Sequence, residues 1–244
     1  MNKGYIVLLF LFSSLALSAQ EYKWSLVGFG GIDFGGAVPI PISAASSDAE
    51  GMPLVKPAAG LEVQYSHSER WQFGAGLFYH NVSLKAVATV ISQAYWSDDR
   101  SYATYFSGEA HSEIELQQFE IPLSVHYKFN EKWSAVMGGY FSYIIHGEFN
   151  TEGKNGWIST NKEDTDTAPL PGTQNMTSSL NEDLDNYDIG LFLGYEYNFW
   201  RNFTLWSRFN VGFKSIFKPE FDNIDYEMYQ FRFSMGLAYT IAEW

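Results

Sequence analysis

The chain has 244 residues, a formal net charge of −13, 18% aromatic residues and no cysteine. The lack of cysteine excludes disulfides and thiolate metal sites, and the acidic charge argues against nucleic acid as a partner. The mean hydropathy is slightly negative, and beyond the N-terminal segment there is no apolar run of about 18 residues, which argues against a helical membrane protein.

The first 19 residues have the layout of a secretory signal peptide. Lys3 precedes an apolar stretch from Gly4 to Leu17, and Ser18 and Ala19 supply small residues for cleavage. We expect cleavage after Ala19, which leaves residues 20–244 as one mature domain. Cleavage after Ser18 is an alternative, and so is a retained membrane anchor.

The mature chain is predicted to form eight β-strands. In each of them, apolar and polar residues alternate with a period of two, which indicates a strand between two different media. All but the second comfortably reach the roughly 9–11 residues that a tilted membrane strand needs. The predicted strands are Trp24–Phe34, Ala58–Ser66, Trp71–Leu84, Glu113–Phe129, Trp133–Phe149, Tyr187–Phe199, Phe203–Phe217 and Met228–Ala242.

The predicted connections alternate in length, and short turns follow strands two, four and six. Short turns in the periplasm and long loops outside are typical of bacterial outer-membrane barrels. Strand one can then pair with strand eight, so that no edge faces lipid. We therefore predict an all-β fold, a closed up-and-down antiparallel transmembrane β-barrel of eight strands. The long connections are Gly35–Pro57, Lys85–Ser112, Asn150–Asn186 and Lys218–Glu227.

Aromatic residues cluster beside the short turns. In each hairpin an aromatic residue precedes a second one by six positions, and such even spacing is expected to place the two rings opposite each other. We predict one aromatic girdle at the membrane–water boundary. The alternative is that these rings only stabilise their hairpins. The predicted girdle consists of Tyr65, Trp71, Tyr127, Phe129, Trp133, Tyr197, Phe199 and Phe203.

The apolar side of each strand is predicted to face lipid and the polar side the lumen. A soluble, lipocalin-like barrel would have its apolar side inside, but so many large rings would overfill eight strands. The enclosed charges are expected to form structural ion pairs near His80, His126 and His146, while large inward side chains such as Trp206 fill the remaining space. The predicted lumen network consists of Glu62, Glu120, Lys128, Asp188, Glu196, Arg208, Lys214 and Arg232.

The segment Glu120–Phe129, with the pattern E-I-P-L-x-x-x-Y-x-F, resembles a strand of PorT-like outer-membrane β-barrel proteins. Gly74–Tyr79 and Phe231–Ile241 are similar to other strands of that family. The resemblance implies an eight-stranded barrel in the outer membrane, inserted by the barrel-assembly machinery, with no catalytic residues. One departure is that Trp244 falls on the opposite parity to Ile241, whereas such barrels commonly end on a lipid-facing aromatic residue.

The sequence gives little support for an active site or a metal site. Ser124, His126 and Glu120 share one strand face, but neighbours on such a face lie about 7 Å apart, too far for a nucleophile and its base. The acidic run Asn161–Asp166 lacks the glycine and the terminal glutamate of an EF-hand loop, so calcium binding has little support. We expect no catalytic residue, cofactor or metal.

The leading functional hypothesis is a non-enzymatic structural or surface protein. Its long acidic loops would contact an extracellular partner or the lipopolysaccharide layer. One alternative is an accessory of outer-membrane assembly or secretion, and another is a barrel enzyme that modifies lipid A.

Overall fold

The computed structural model of the chain describes residues 24–40, 49–96, 103–159, 168–169, 176–221 and 227–244. The predicted signal peptide with its cleavage site and the acidic run Asn161–Asp166 lie outside the described residues. In the described ranges, no helix is long and apolar enough to cross a membrane.

Strands dominate the described residues, with one short 3-10 helix at Asn181–Asp183. The strands are β1 Trp24–Ile40, β2 Glu50–Leu54, β3 Lys56–Ser66, β4 Trp71–Trp96, β5 Ala103–Lys128, β6 Trp133–Ser159, β7 Ala168–Pro169, β8 Met176–Ser179, β9 Tyr187–Trp200, β10 Phe203–Ser215 and β11 Glu227–Glu243.

Eight of these strands form a closed antiparallel ring. Going round it, β1 is followed by β3, β4, β5, β6, β9, β10 and β11, and β11 pairs again with β1. The closing pair runs from Ile40 opposite Glu227 to Ser25 opposite Glu243. The predicted fold class is confirmed, and the ring has no unpaired edge at the level of the eight strands.

Short turns connect the ring strands at one end, which we call the turn end. They occupy residues 67–70, 129–132 and 201–202, as predicted. In the second turn, the Asn130 side chain accepts hydrogen bonds from the backbone N–H groups of Lys132 and Trp133, both at 2.9 Å. An asparagine that bonds the following backbone in this way is a frequent element of tight turns. The opposite end of the barrel is the loop end.

Three strands extend much further beyond the loop end than the sequence predicted. The prediction that Lys85–Ser112 is a long connection is wrong, because β4 continues to Trp96 and β5 begins at Ala103. β6 continues to Ser159, where the small strands β7 and β8 pair with it, and the small strand β2 pairs with β4. We call the part of β4, β5 and β6 that lies beyond the other strands the wall. It escaped the prediction because its residues lack the alternation of large rings and charges on which that prediction relied.

Apolar and charged side chains lie on opposite faces of the sheet that forms the barrel. Phe233 and Leu237 on β11 are 40% and 48% exposed, whereas Arg232, which directly precedes Phe233, is 1% exposed. Glu120 on β5 is likewise 1% exposed, and the flanking Ile121 is 51% exposed. The apolar side is therefore outside and the charged side inside, which excludes the soluble barrel with an apolar interior.

A β-bulge near the C-terminus corrects the predicted parity of Trp244. Val27 lies opposite Thr240 but Leu26 lies opposite Ala242, so that β11 has one extra residue, Ile241. An extra residue moves every following side chain to the other face of the sheet. Trp244 therefore lies on the outer side, 62% exposed, and exchanges backbone hydrogen bonds of 2.7 and 2.9 Å with Trp24.

The bulge predicts the effect of a one-residue deletion. Deleting Ile241 removes the extra residue, and Trp244 must then face inward or lose its bonds to Trp24. We expect the free energy of unfolding to fall by about 1–3 kcal/mol, as for other losses of local packing and hydrogen bonds. Urea titration of the protein in detergent micelles measures this change. The control Ile241→Val keeps the chain length and should stay near wild type, and equal stability of the deletion and the control would contradict the role of the bulge.

Candidate functional site: the charged lumen

The first layer of the lumen, at the turn end, is a network around His126. Glu62 accepts hydrogen bonds from Arg208 Nη2 and from His126 Nε2, both at 3.0 Å. The other ring nitrogen of His126, Nδ1, lies 3.0 Å from Glu196. Ser124 Oγ lies 2.9 Å from His126 Nε2. We call these five residues the turn-end network; it links strands β3, β5, β9 and β10.

The turn-end network contains a serine, a histidine and a carboxylate in the contacts of a hydrolytic triad. The prediction that Ser124 and His126 are too far apart is therefore wrong, and Glu196 rather than Glu120 is the third member. However, Glu62 occupies the same nitrogen that would take the serine proton. With a carboxylate at each ring nitrogen, both nitrogens donate, as in a protonated imidazole, and no lone pair is left to act as base. Ser124 and His126 are also only 3% and 0% exposed.

The second charged layer, nearer the loop end, is centred on Arg232. Its guanidinium is paired with Glu120, and both side chains are buried. His80 lies 2.9 Å from Asp33 through Nδ1 and 3.7 Å from Glu120 through Nε2. Ser234 donates a hydrogen bond of 2.6 Å to Asp33. We call these five residues the loop-end network.

An aromatic layer separates the two networks. It consists of four buried rings that surround the Arg208 guanidinium, whose carbon lies 5.0 to 5.8 Å from their centroids. Such distances are those of cation–π contacts, which gain strength where water is excluded. Arg208 thus contacts both groups: it donates a hydrogen bond to Glu62 of the turn-end network, and its guanidinium packs against the rings of the aromatic layer. The rings are those of Phe29, Phe78, Phe192 and Trp206.

Apolar side chains fill the lumen at the loop end. The segment that precedes β9 crosses between β6 and β10, where Leu180 N bonds Phe149 O at 2.9 Å and Asp185 N bonds Ile216 O at 2.8 Å. This places Leu184 inside the cluster, which we call the apolar plug. Its buried members are Ala37, Ile114, Leu116, Ile144, Phe149, Leu184, Ile216, Phe217 and Met228.

Five of the eight predicted lumen charges belong to the two networks: Glu62, Glu196, Arg208, Glu120 and Arg232. Three others lie elsewhere in the barrel. Asp188 accepts a hydrogen bond of 2.9 Å from the buried Tyr140 hydroxyl. Lys214 pairs with Asp185 at the rim and lies 3.4 Å from the Tyr187 ring centroid, and Lys128 is partly buried at the turn end.

Sequence reasoning misplaced one histidine and missed one carboxylate. His146 was expected in the lumen, but it is exposed and lies 3.0 Å from Glu148 on the outside. A bulge between β5 and β6 at Gln117 and Gln118 shifts its parity. Asp33, fully buried in the loop-end network, was not predicted. The sequence could have indicated its inward direction, because Asp33 lies between Ile32 and Phe34, two apolar residues of β1 that face outward.

Ring pairs surround the outside of the barrel at the turn end, but the rings pair differently from the prediction. Tyr65 lies opposite Phe73 and not opposite Trp71, because the stagger of the strands carries Trp71 two positions nearer the turn. Instead, the aromatic residue at the start of a strand contacts an aromatic residue near the end of the other neighbouring strand, the one that is not joined to it by a short turn. The ring centroids of these pairs are 4.5 to 4.9 Å apart. These pairs are Trp24–Tyr65, Trp71–Tyr127, Trp133–Tyr197 and Phe203–Tyr239. The predicted Phe129 and Phe199 lie beside them, 5.4 Å from Tyr127 and 6.4 Å from Phe203.

A second set of outer rings lies eight to ten residues further along the strands. Tyr79 contacts Phe119 at 5.8 Å, and Phe141 contacts Tyr187 at 6.0 Å. At about 3.3 Å per residue and a tilt of about 40°, this separation corresponds to a height of about 20–25 Å, close to the apolar band of outer-membrane barrels. Beyond the second set, the outer side chains become charged, and this marks the membrane boundary. They include Lys85, Glu113, Glu115, His146 and Glu148.

Within the described ranges, no group of three or more histidine, aspartate and glutamate side chains could hold a metal ion.

The chain is similar to known outer-membrane proteins, and the family model supports the architecture. Residues 18–218 match the family model described as outer membrane protein beta-barrel domain. The solved structure of Ail of Yersinia pestis with the heparin analogue sucrose octasulfate is 10% identical and covers 92% of this chain and 100% of that chain, at a TM-score of 0.38. The translocator domain of NalP from Neisseria meningitidis is 9% identical. It covers 98% of this chain and 96% of that chain, at a TM-score of 0.26. No curated protein matches the chain.

The loop-end network predicts a large cost for removing one charge. Glu120→Gln keeps the shape of the side chain but removes the closest counter-charge of the buried Arg232, because Asp33 lies 4.0 Å from its Nε. We expect the free energy of unfolding to fall by about 3–5 kcal/mol. The matched control is Glu115→Gln, whose partner Lys56 lies 2.8 Å away, with both side chains about a quarter exposed. Its loss should stay below about 1 kcal/mol. Urea titration of both variants in micelles gives the comparison, and equal losses would refute the buried pair.

Glu115, which lies outside the membrane span, provides a pH test. The hydrogen bond from Lys56 is the main cause that lowers the pKa of Glu115 below 4.5; burial opposes this shift, and hydrogen bonds from Asn81 and Gln117 add to it. Because the folded pKa is depressed, the stabilisation is complete above 4.5 and is lost as the pH falls through the lowered value. Lys56→Met should raise the carboxyl titration midpoint in NMR toward 4.5, and Lys85→Met should leave it unchanged. An unshifted midpoint in Lys56→Met would contradict the assignment.

Proposed function

Because the chain belongs to the family of outer membrane protein β-barrel domains, we propose that it acts as a non-enzymatic surface protein with a non-conducting barrel. The family and the barrel fold place it in the bacterial outer membrane. The observation that carries the proposal is the layered filling of the lumen: two ion-pair networks, an aromatic layer between them and an apolar plug at the loop end. An eight-stranded barrel has room for little more than such side chains.

The wall is the surface that we propose for interaction. It rises beyond the second set of outer rings, so it projects from the membrane on the side opposite the short turns. Its exposed surface mixes apolar side chains, such as Ile91 at 85% exposure, with charged pairs, such as Lys85 3.3 Å from Glu113 and Lys154 2.9 Å from Glu152. A face of this kind suits an extracellular protein partner or the lipopolysaccharide layer. Lipid and, during insertion, the barrel-assembly machinery are the further partners that we propose.

The PorT-like resemblance makes an accessory role in outer-membrane assembly or secretion the second candidate. It rests on the Glu120–Phe129 segment. In the structure, alternate residues of this segment point to opposite sides of the sheet. Glu120 pairs with Arg232 inside the barrel, and Ile121 and Leu123 are exposed on the outside. This use of the motif is structural and supports the barrel in either role.

The non-conducting barrel is tested by electrical recording. Purified protein refolded into a planar lipid bilayer should give no conductance steps, because ions have no continuous polar path past the aromatic layer and the apolar plug. A gel with unboiled and boiled samples verifies that the protein has folded, since intact barrels migrate differently. A known porin serves as the positive control for the bilayer. Reproducible conductance steps from folded protein would refute the proposal.

The absence of enzymatic activity is tested at the triad-like contact. If Ser124 were a nucleophile toward lipid A, overproduction of the protein would change the mass of lipid A, and Ser124→Ala would abolish the change. We expect identical lipid A mass spectra from cells that carry the wild type, Ser124→Ala or an empty vector. An acyl change that depends on Ser124 would establish the enzyme instead.

A further inference from the structure

The lumen contains buried polar atoms that no protein group satisfies. Among the described residues, nine such side-chain atoms have no hydrogen-bond partner. Buried polar atoms are nearly always bonded, and ordered water is one of the common explanations of an exception. Two of the nine, on Asn81 and Ser83, lie on β4 toward the loop end. The other seven are Glu196 Oε1, Trp206 Nε1, Arg208 Nε, Ser142 Oγ, Asn210 Oδ1, Arg232 Nε and Arg232 Nη1.

Three of these atoms lie at or beside the turn-end network: two belong to its members Glu196 and Arg208, and one belongs to Trp206 of the aromatic layer. Trp206 on β10 is directly opposite Glu196 on β9. Glu196 Oε1 is 4.0 Å from Arg208 Nη2, which is too long for a direct hydrogen bond. Trp206 Nε1 and Arg208 Nε are donors and Glu196 Oε1 is an acceptor. A polar contact at this separation is typical of groups bridged by water.

The other four atoms lie at or beside the loop-end network: two belong to its member Arg232, and the others belong to the neighbouring Asn210 and Ser142. Asn210 on β10 is directly opposite Arg232 on β11. Ser142 on β6 is opposite Glu120, the partner of Arg232. Arg232 Nε is 4.0 Å from Asp33 Oδ1, again beyond direct bonding. The set has two N–H donors on Arg232, one amide oxygen and one hydroxyl.

We propose that each network holds ordered water, in two separate internal sites. A bare cation would satisfy only the oxygens of each set and an anion only the N–H groups, whereas water donates and accepts. A buried water typically makes about two to four hydrogen bonds, and the two sets contain three and four atoms. The turn-end site bridges Glu196, Trp206 and Arg208, and the loop-end site bridges Arg232, Asn210 and Ser142.

The two sites differ in access to bulk solvent. The Glu196 side chain is 12% exposed at the turn end, so water there exchanges with the periplasm. At the other site, Arg232, Asn210 and Ser142 are at most 2% exposed, with the aromatic layer on one side and the apolar plug on the other. Water at the loop-end site therefore leaves only when the barrel opens.

The arginine Nε–H groups report on both sites, because Arg208 and Arg232 carry the same chemical group in the two environments. NMR of the folded protein in detergent micelles should show cross peaks from water to the Nε–H of each arginine and to the indole N–H of Trp206. After transfer to D₂O, the Arg208 signal should decay well before the Arg232 signal. Missing water cross peaks at both arginines would overturn the two sites, and equal decay would overturn the difference in access.

A single substitution tests whether the two water sites are independent. Asn210→Leu removes one acceptor at nearly constant volume, so the water cross peak at Arg232 should be lost while that at Trp206 persists. Loss of both peaks in a folded variant, or of neither, would contradict two independent waters. If this variant does not fold, Ser142→Ala removes the other acceptor with less disturbance, and it should weaken only the Arg232 peak.

Discussion

Hydrocarbon offers no hydrogen-bond partner to the backbone, and this constraint shapes the rest of the molecule. Each strand must be paired on both sides, and a sheet achieves that only by closing on itself. Here the closure is made by β1 and β11, the first and the last strands, along the whole length from Ile40 to Ser25. Once the sheet is closed, the period of two leaves no choice: each strand presents one set of side chains to lipid and encloses the other.

The enclosed set explains the interior. A charge in a narrow lumen loses its hydration and must recover the energy from partners. Glu62 with Arg208 and Glu120 with Arg232 supply these partners across the barrel, from strands far apart in the sequence. The aromatic layer excludes water from the middle, which strengthens the contacts of Arg208. The same packing that satisfies the charges also closes the lumen, so stability and lack of conduction have one cause.

Much of this arrangement could be read from the sequence, because it depends on patterns within single strands. The alternation around Ile121 and Phe233 predicted the strands, their closed order and the inward direction of Glu120 and Arg232. Features that depend on register between strands could not be read. One extra residue, Ile241, reverses the parity of Trp244, and another bulge turns His146 outward. The stagger that pairs Trp71 with Tyr127 leaves no trace in either strand alone.

The two sides of the sheet can be distinguished directly, since the chain has no cysteine of its own. Spin labels at single cysteines in place of Met235 and Ser234, adjacent residues on β11, would be tested for collision with oxygen, which is concentrated in lipid, and with a water-soluble nickel complex. The account predicts that the label at Met235 collides with oxygen and avoids nickel, while the label at Ser234 is shielded from oxygen. A lipid-exposed label at Ser234 with a shielded one at Met235 would contradict it.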